Sequence, residues 1–189
     1  VDVFIPTFNE DVGLLRRTLL AARDIRYPHR TYVLDDGNRP DVAALAAELG
    51  VELIARPEHH HAKAGNINYA LRQTHGDFIA IFDADHAPQP TFLDRTLGFF
   101  TDPKVAFVQT PQFFYNLNAF EEFSHATTDE HWEQQSMFFH YLQPGKQRWN
   151  SAFFCGTCAV IRRTALEEVG GIATETITED IHTSVLIHA

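Results

Sequence analysis

Short apolar runs alternate along the chain with stretches whose apolar residues recur every three or four positions. VDVFIP (1–6) is β-rich and is halted by Pro6. Val12, Leu15, Leu19 and Ala22 then keep helical spacing. TYVLDDG (31–37) is a second strand running out into acids and a glycine, and DVAALAAELG (41–50) is a short helix closed by Gly50. VELIA (51–55) predicts a third strand, and residues 62–73 a helix with Ile67, Ala70 and Leu71 on one face. DFIAIF (77–82) has an apolar run that suits a strand buried on both faces. A helix over about 90–100 and a strand VAFVQT (105–110) complete the first half. This order predicts an α/β fold with a mostly parallel, doubly wound sheet and helices on both faces.

The second half changes character. Residues 119–142, rich in Glu, His, Gln and aromatics, predict a long helix. SAFFCGTCAVIRR (151–163) reads as a loop entering a strand. Residues 164–170 predict a short helix ended by Gly170 and Gly171, and a last helix starts near Thr178. Repeats and low-complexity linkers are absent, so 1–189 reads as one domain.

Charge narrows the partners. Fifteen basic against 25 acidic residues give −10, and no basic stripe appears, which argues against a nucleic-acid polymer. A small anion held through a metal ion stays open. Cys155 and Cys158 form a C-x-x-C pair. Read as strand, residues three apart face opposite sides, which favours a structural or substrate-facing role over a redox or zinc pair. Free thiols suit a reducing compartment. No apolar run approaches the roughly 18 residues of a membrane helix, and both ends read as cut from something longer.

Ligands of open α/β sheets bind beyond the carboxyl ends of the strands. Those ends here carry PTFNE (6–10), Asp35 and Asp36, and Asp83 and Asp85. Two aspartates one residue apart repel each other, and a hard cation such as Mg²⁺ or Mn²⁺ offsets that cost. His86 offers a nitrogen ligand that would tilt preference toward Mn²⁺, or is a surface histidine. Lys63, in the first turn of the helix after the third strand, is placed to reach a diphosphate, and Gly65 leaves room for close approach. The run His59, His60, His61 reads as a loop with one useful histidine at most. In TITEDIH (176–182), Thr178 suits an N-cap with Glu179 and Asp180 in the first turn. That role alone explains the stretch structurally; the helix dipole there would also keep Asp180 ionised, as a general base must be.

DDG (35–37), HAKAGN (61–66), DADH (83–86), QTPQFF (109–114), FFCGT (153–157) and TED (178–180) occur in that order. The series resembles the catalytic domain of processive family 2 glycosyltransferases of the bacterial cellulose synthase type, over nearly the whole chain. The resemblance implies a GT-A (Rossmann-like) fold, a UDP-sugar donor, UDP-glucose first, and a β-glycan acceptor. It implies that Thr7, Asn9, Glu10 and Asp36 hold the uridine, that Asp35 belongs to the donor site, and that Lys63 contacts the diphosphate. Asp83 and Asp85, with His86, would bind ribose and phosphates through Mg²⁺ or Mn²⁺. Asp180 would be the general base, and Cys155, Gly156, Thr157, Glu179 and Gln112 would face the acceptor. It divides the domain into a nucleotide-sugar half (1–110) and an acceptor half (111–189). It also implies membrane segments outside this chain, accessory synthase subunits, and a site on the cytoplasmic face of the inner membrane.

One departure stands out. The family's Q-x-x-R-W motif follows TED, and this chain stops at Ala189 without it. KQRWN (146–150) has the wrong spacing and precedes TED, so Trp149 is expected to pack near the FFCGT loop. Such a fragment would bind donor yet polymerise poorly. Three rivals remain: a binding module that has lost catalysis, a synthase of another β-glycan such as chitin or hyaluronan, and a metal-dependent phosphohydrolase. The last leaves FFCGT and TED unexplained.

Overall fold

A computed structural model describes residues 1–112 and 137–189. Most of the helix expected over 119–142 therefore falls outside the described residues. Residues 1–109 and 154–189 form one compact unit, and residues 110–153 a second.

The first unit is built on six strands: β1 (Asp2–Thr7), β2 (Arg30–Asp35), β3 (Glu52–Ala55), β4 (Phe78–Ile81), β5 (Phe107–Gln109) and β6 (Ala159–Arg162). They lie in the order β3-β2-β1-β4-β6-β5. The first four are parallel; β6 is antiparallel to both of its neighbours, β4 and β5. The sheet is therefore mixed. An apolar run fixes burial and not direction, so the reversal at β6 was invisible in the sequence.

Side-chain alternation sorts the core into two faces. Val3, Ile5, Val33, Ala80 and Val160 point to one, where α1 (Val12–Arg23), α2 (Pro40–Leu49) and α4 (Phe92–Thr96) cover them with Leu15, Leu19, Leu45 and Leu93. Phe4, Tyr32, Leu34, Ile79, Ile81 and Ile161 point to the other, under α3 (Ala62–Leu71) and α6 (Arg163–Glu168). Of the periodic positions read from the sequence, Leu15, Leu19 and Ala22 are 0% exposed and Val12 is partly buried. Each such leucine contributes about 1.5–3 kcal/mol by leaving water.

Local chemistry sets the helix ends. The Asp11 side chain accepts from Leu14 N at 3.0 Å and caps α1. Pro40 opens α2 without losing a hydrogen bond, and Gly50 closes it at φ 68°. Thr178 does stand before the last helix, α7 (Glu179–His188), but its side chain makes no capping bond. Further along, the Thr183 and Ser184 hydroxyls donate back to the carbonyls of Glu179 and Asp180, which satisfies these buried hydroxyls and leaves the amides of the first turn uncapped by Thr178.

A buried ion pair closes the sheet at the opposite end from the strand-end acids. Arg163 donates to Asp2 at 3.0 Å, to Gly76 O at 2.6 Å and to Leu71 O at 2.9 Å. Arg163→Met should cost about 3–5 kcal/mol, because Asp2 is left buried and short of a counter-charge. Urea unfolding measures it, and a loss under about 1 kcal/mol would contradict the assignment.

In the second unit a wide helical turn, Phe138–Leu142, leads into α5 (Gln143–Gln147). The Gln143 amide pairs with Phe153 in both directions, at 2.8 and 3.3 Å. Trp149 is 80% exposed. Among the described residues no helix is long and apolar enough to cross a membrane.

Candidate active site

Parallel pairing puts Thr7 opposite Asp35 and Phe4 opposite Ile81. The carboxyl ends of β2, β1 and β4 therefore open side by side, where a doubly wound sheet leaves a crevice. A cavity of about 580 Å³ lies there. Of the residues expected at the site, Thr7, Glu10, Asp36, Lys63, Asp83 and Asp85 line it, joined by Phe8 and His59. Asn9 is exposed and Asp35 is buried, and neither lines the cavity.

Asp35 is occupied by structure. Its carboxylate accepts from Gly37 N, Arg39 N and Arg39 Nε, at 3.2, 2.5 and 3.2 Å. The same Arg39 donates to Glu10 O and Thr7 Oγ1, both at 2.7 Å, so it ties the end of β2 to the end of β1. Glu10 accepts from Thr7 Oγ1 at 2.6 Å and Phe8 N at 2.8 Å. Burial pushes its carboxyl up, but these bonds outweigh burial and hold the pKa below its ordinary value. Asp36 behaves alike. Burial raises it, while Arg56 and His59 bonded to it bring it below the usual carboxylate range. Arg56 grips Asp36 with two parallel bonds, at 2.6 and 2.7 Å, and His59 Nδ1 lies 2.9 Å from Oδ1.

The Asp83 and Asp85 carboxylates and the His86 imidazole present ligand atoms all within 4.8 Å of one another. Two hard oxygens and one imidazole nitrogen fit Mg²⁺ or Mn²⁺. His86 Nδ1 already lies 2.8 Å from Asp85 Oδ1, which orients the ring. Lys63, in the first turn of α3, donates to Asp83 and, at 2.7 Å, to Gly156 O. Its charge lowers the repulsion within the acidic pair.

Gly156 is the point where two further groups meet. It sits at φ 77°, and a Cβ there would meet Asp180 Oδ2 at 3.5 Å and Lys63 Nζ at 3.6 Å. The carboxylate in the first turn of α7 and the ammonium in the first turn of α3 thus flank one glycine. Glu179 lies beside Asp180 in that turn.

Several expectations need correction. Gly65 does not make room for a ligand: a Cβ there would collide with the His60 carbonyl oxygen and the Arg56 guanidinium, so it makes room for the chain's own turn. Residues 155–158 form a turn before β6 rather than strand, with Gly156 and Cys158 at positive φ. Neither cysteine is in a disulfide, and burial pushes the Cys158 thiol up to about 11, which keeps it protonated at neutral pH. Thr157 is buried and its hydroxyl accepts from Asp83 N at 2.9 Å, so its side chain supports Asp83 rather than facing an acceptor. Cys155 is half-buried, and Gln112 belongs to the second unit.

Sequence reasoning missed Arg39, Arg56 and Gln109. Gln109 accepts from Cys155 N and donates to Thr157 O, at 2.8 and 2.9 Å, so β5 holds the turn that carries Gly156. Arg56 and Gln109 stand at the ends of β3 and β5, and the strand-end rule that selected the acids reaches them too.

The chain matches the family model described as "Glycosyl transferase family 2" over residues 2–170. It is 47% identical to "Cellulose synthase 1" of Komagataeibacter xylinus over 192 residues, covering 98% of this chain and 12% of that protein. It is likewise 47% identical to the "Cellulose synthase catalytic subunit [UDP-forming]" of Xanthomonas axonopodis pv. citri, covering 98% and 26%. The chain thus spans 12% and 26% of the length of these relatives. A mannosyltransferase of Pyrobaculum calidifontis in complex with GDP-Man and Mn²⁺ shares the fold, with a TM-score of 0.75 at 23% identity over 98% of this chain and 51% of that one.

Proposed function

The chain belongs to glycosyl transferase family 2, and from that premise we propose that it transfers glucose from UDP-glucose to the end of a β-glycan, with inversion at the anomeric carbon. The observation that carries this reading is the meeting at Gly156 of Asp180 with Lys63, which is itself bonded to Asp83 of the acidic triad. Base, diphosphate contact and metal ligands are then adjacent within one unit.

Donor recognition follows from what the side chains can accept. Asp36 Oδ1 already receives Arg56 and His59, while Oδ2 receives one bond. An ionised carboxylate oxygen accepts about two. Oδ2 has one acceptor position left, which suits the N3–H of uracil; cytosine offers a lone pair there. Phe8, 58% exposed at the cavity, supplies an aromatic face for the base. The two relatives carry the names of cellulose synthases, one of them UDP-forming, which supports UDP-glucose and a β-glucan.

Asp83, Asp85 and His86 would hold the divalent cation, which supplies positive charge to the departing diphosphate. Lys63 turns its ammonium to the same oxygens and stabilises the charge that grows on them. Asp180 removes the proton of the acceptor hydroxyl as that oxygen attacks the anomeric carbon from the face opposite UDP. Gly156 leaves the space for the hydroxyl to lie between base and donor. We place this work at a membrane, through segments of the longer protein and with its accessory subunits, where the growing glycan leaves.

Calorimetry with Mn²⁺ or Mg²⁺ present tests the donor site. UDP should bind at least about tenfold tighter than CDP, since the wrong base leaves a buried acceptor facing a lone pair. Equal affinities would remove Asp36 from base reading. Release of UDP from UDP-glucose in the presence of β-glucan oligosaccharides tests the transfer itself, and no release from the complete polypeptide would overturn it.

A further inference from the structure

Resting on the nucleotide site just described, we propose that Arg56 is a positioning residue that couples the nucleoside end of the cavity to its diphosphate end. Arg56 follows β3 directly and is only 5% exposed. One guanidinium serves two parts of the site. Nε and Nη2 hold the two oxygens of Asp36. Nη1 donates to His60 O at 2.6 Å, and Nη2 also donates to Ala62 O at 3.0 Å. The first pair fixes the carboxylate that reads the base. The second fixes the turn from which α3, and Lys63 with it, rises.

That turn is not one the chain adopts easily. His61 and Ala62 both have positive φ, 62° and 41°, a region disfavoured for residues with a Cβ. His61 stands at the start of α3 without a side-chain capping bond. Capture of two carbonyls by Arg56, together with the bond from Gly65 N to His61 O at 2.9 Å, holds the shape. Gly65 permits it, because a Cβ would displace both His60 O and the guanidinium.

The arrangement requires a fork. A planar group with five donors spans a carboxylate and two carbonyls at once; an ammonium offers three donors from one point. Charge alone therefore does not replace Arg56. Asp36, the guanidinium and the 60–62 turn move as one body, so a nucleoside that engages Asp36 also fixes the first turn of α3. Lys63 is then already placed when the diphosphate arrives, and the diphosphate adds more affinity than it would on a loose turn.

Calorimetry on uridine and UDP separately tests the coupling, since the ratio of their Kd values measures what the diphosphate adds. In Arg56→Lys, with the fold checked by circular dichroism, uridine should weaken about tenfold and the ratio should fall about fivefold, toward that of Lys63→Ala. A weakened uridine with an unchanged ratio would confine Arg56 to supporting Asp36 and overturn the coupling; so would no change in either. Hydrogen exchange on the unsubstituted protein decides the matter should the variant not fold. Uridine alone, without phosphate, should slow exchange of the backbone amides of residues 61–66, and unaltered exchange there overturns the proposal. Wild-type protein that binds neither uridine nor UDP would overturn the nucleotide site itself. Wild-type binding with the wrong variant response overturns only the role of Arg56.

Discussion

Asp180→Asn is expected to lower sugar transfer by about 10²–10⁴-fold, the usual worth of a positioned general base, while UDP affinity stays within about twofold. The amide is nearly the same size, so packing around Gly156 survives. It cannot take a proton, so the acceptor hydroxyl attacks without being relieved of its own. The site explains why binding is spared. Asp180 lies beside Gly156, and it is absent from the lining of the donor cavity. Transfer is read as UDP release with a β-glucan oligosaccharide present, and binding by calorimetry with the same protein. Wild-type turnover in the variant would sink the role of Asp180. A parallel loss of UDP affinity would place the residue in donor binding instead.

Gly156→Ala works on the same point from the other side, and it clarifies why the base is sensitive. At φ 77° an alanine is strained whatever room it finds. Its methyl would also touch the Asp180 carboxylate at 3.5 Å and the Lys63 ammonium at 3.6 Å. The turn that carries this glycine is pinned by Gln109 on β5.

How much of this was legible in the sequence depended on the range of the interaction. The acids were visible because they sit where apolar runs end, and the parallel register then carries Asp36 and Asp83 to one edge. Lys63 and Asp180 were visible because helix starts leave a local signature. The clamps were not. Nothing in ARPEHHHA says that one arginine will gather Asp36 and the carbonyls of His60 and Ala62, because those groups meet only after β2 and β3 pair. Gly65 and the 155–158 turn misled for the same reason. A glycine signals close approach but not what approaches, and a C-x-x-C pair carries its spacing without its backbone angles. Thr157 was expected to face an acceptor, and its hydroxyl turns inward to Asp83 N.

Loss of an acid from the triad should be the second large effect. Asp85→Ala is expected to remove the metal dependence of UDP binding. Where Mn²⁺ strengthens UDP binding to the wild type by about 10–100-fold, the variant should bind equally with metal or with chelator. Asp85 is the better choice over Asp83, because the Asp83 carboxylate also accepts from Lys63, so its loss would release that ammonium as well. Asp85 is exposed and bonded only to His86 among the described residues, so its removal leaves the strand end intact. UDP affinity that still rises with Mn²⁺ in Asp85→Ala would remove the triad as the metal site. His86→Ala separates the remaining ligand. An imidazole favours Mn²⁺ over Mg²⁺ more than a carboxylate does, so the variant should narrow the gap between the two metals rather than abolish binding. An unchanged gap would make His86 an orienting partner of Asp85 and leave the ion to the two carboxylates.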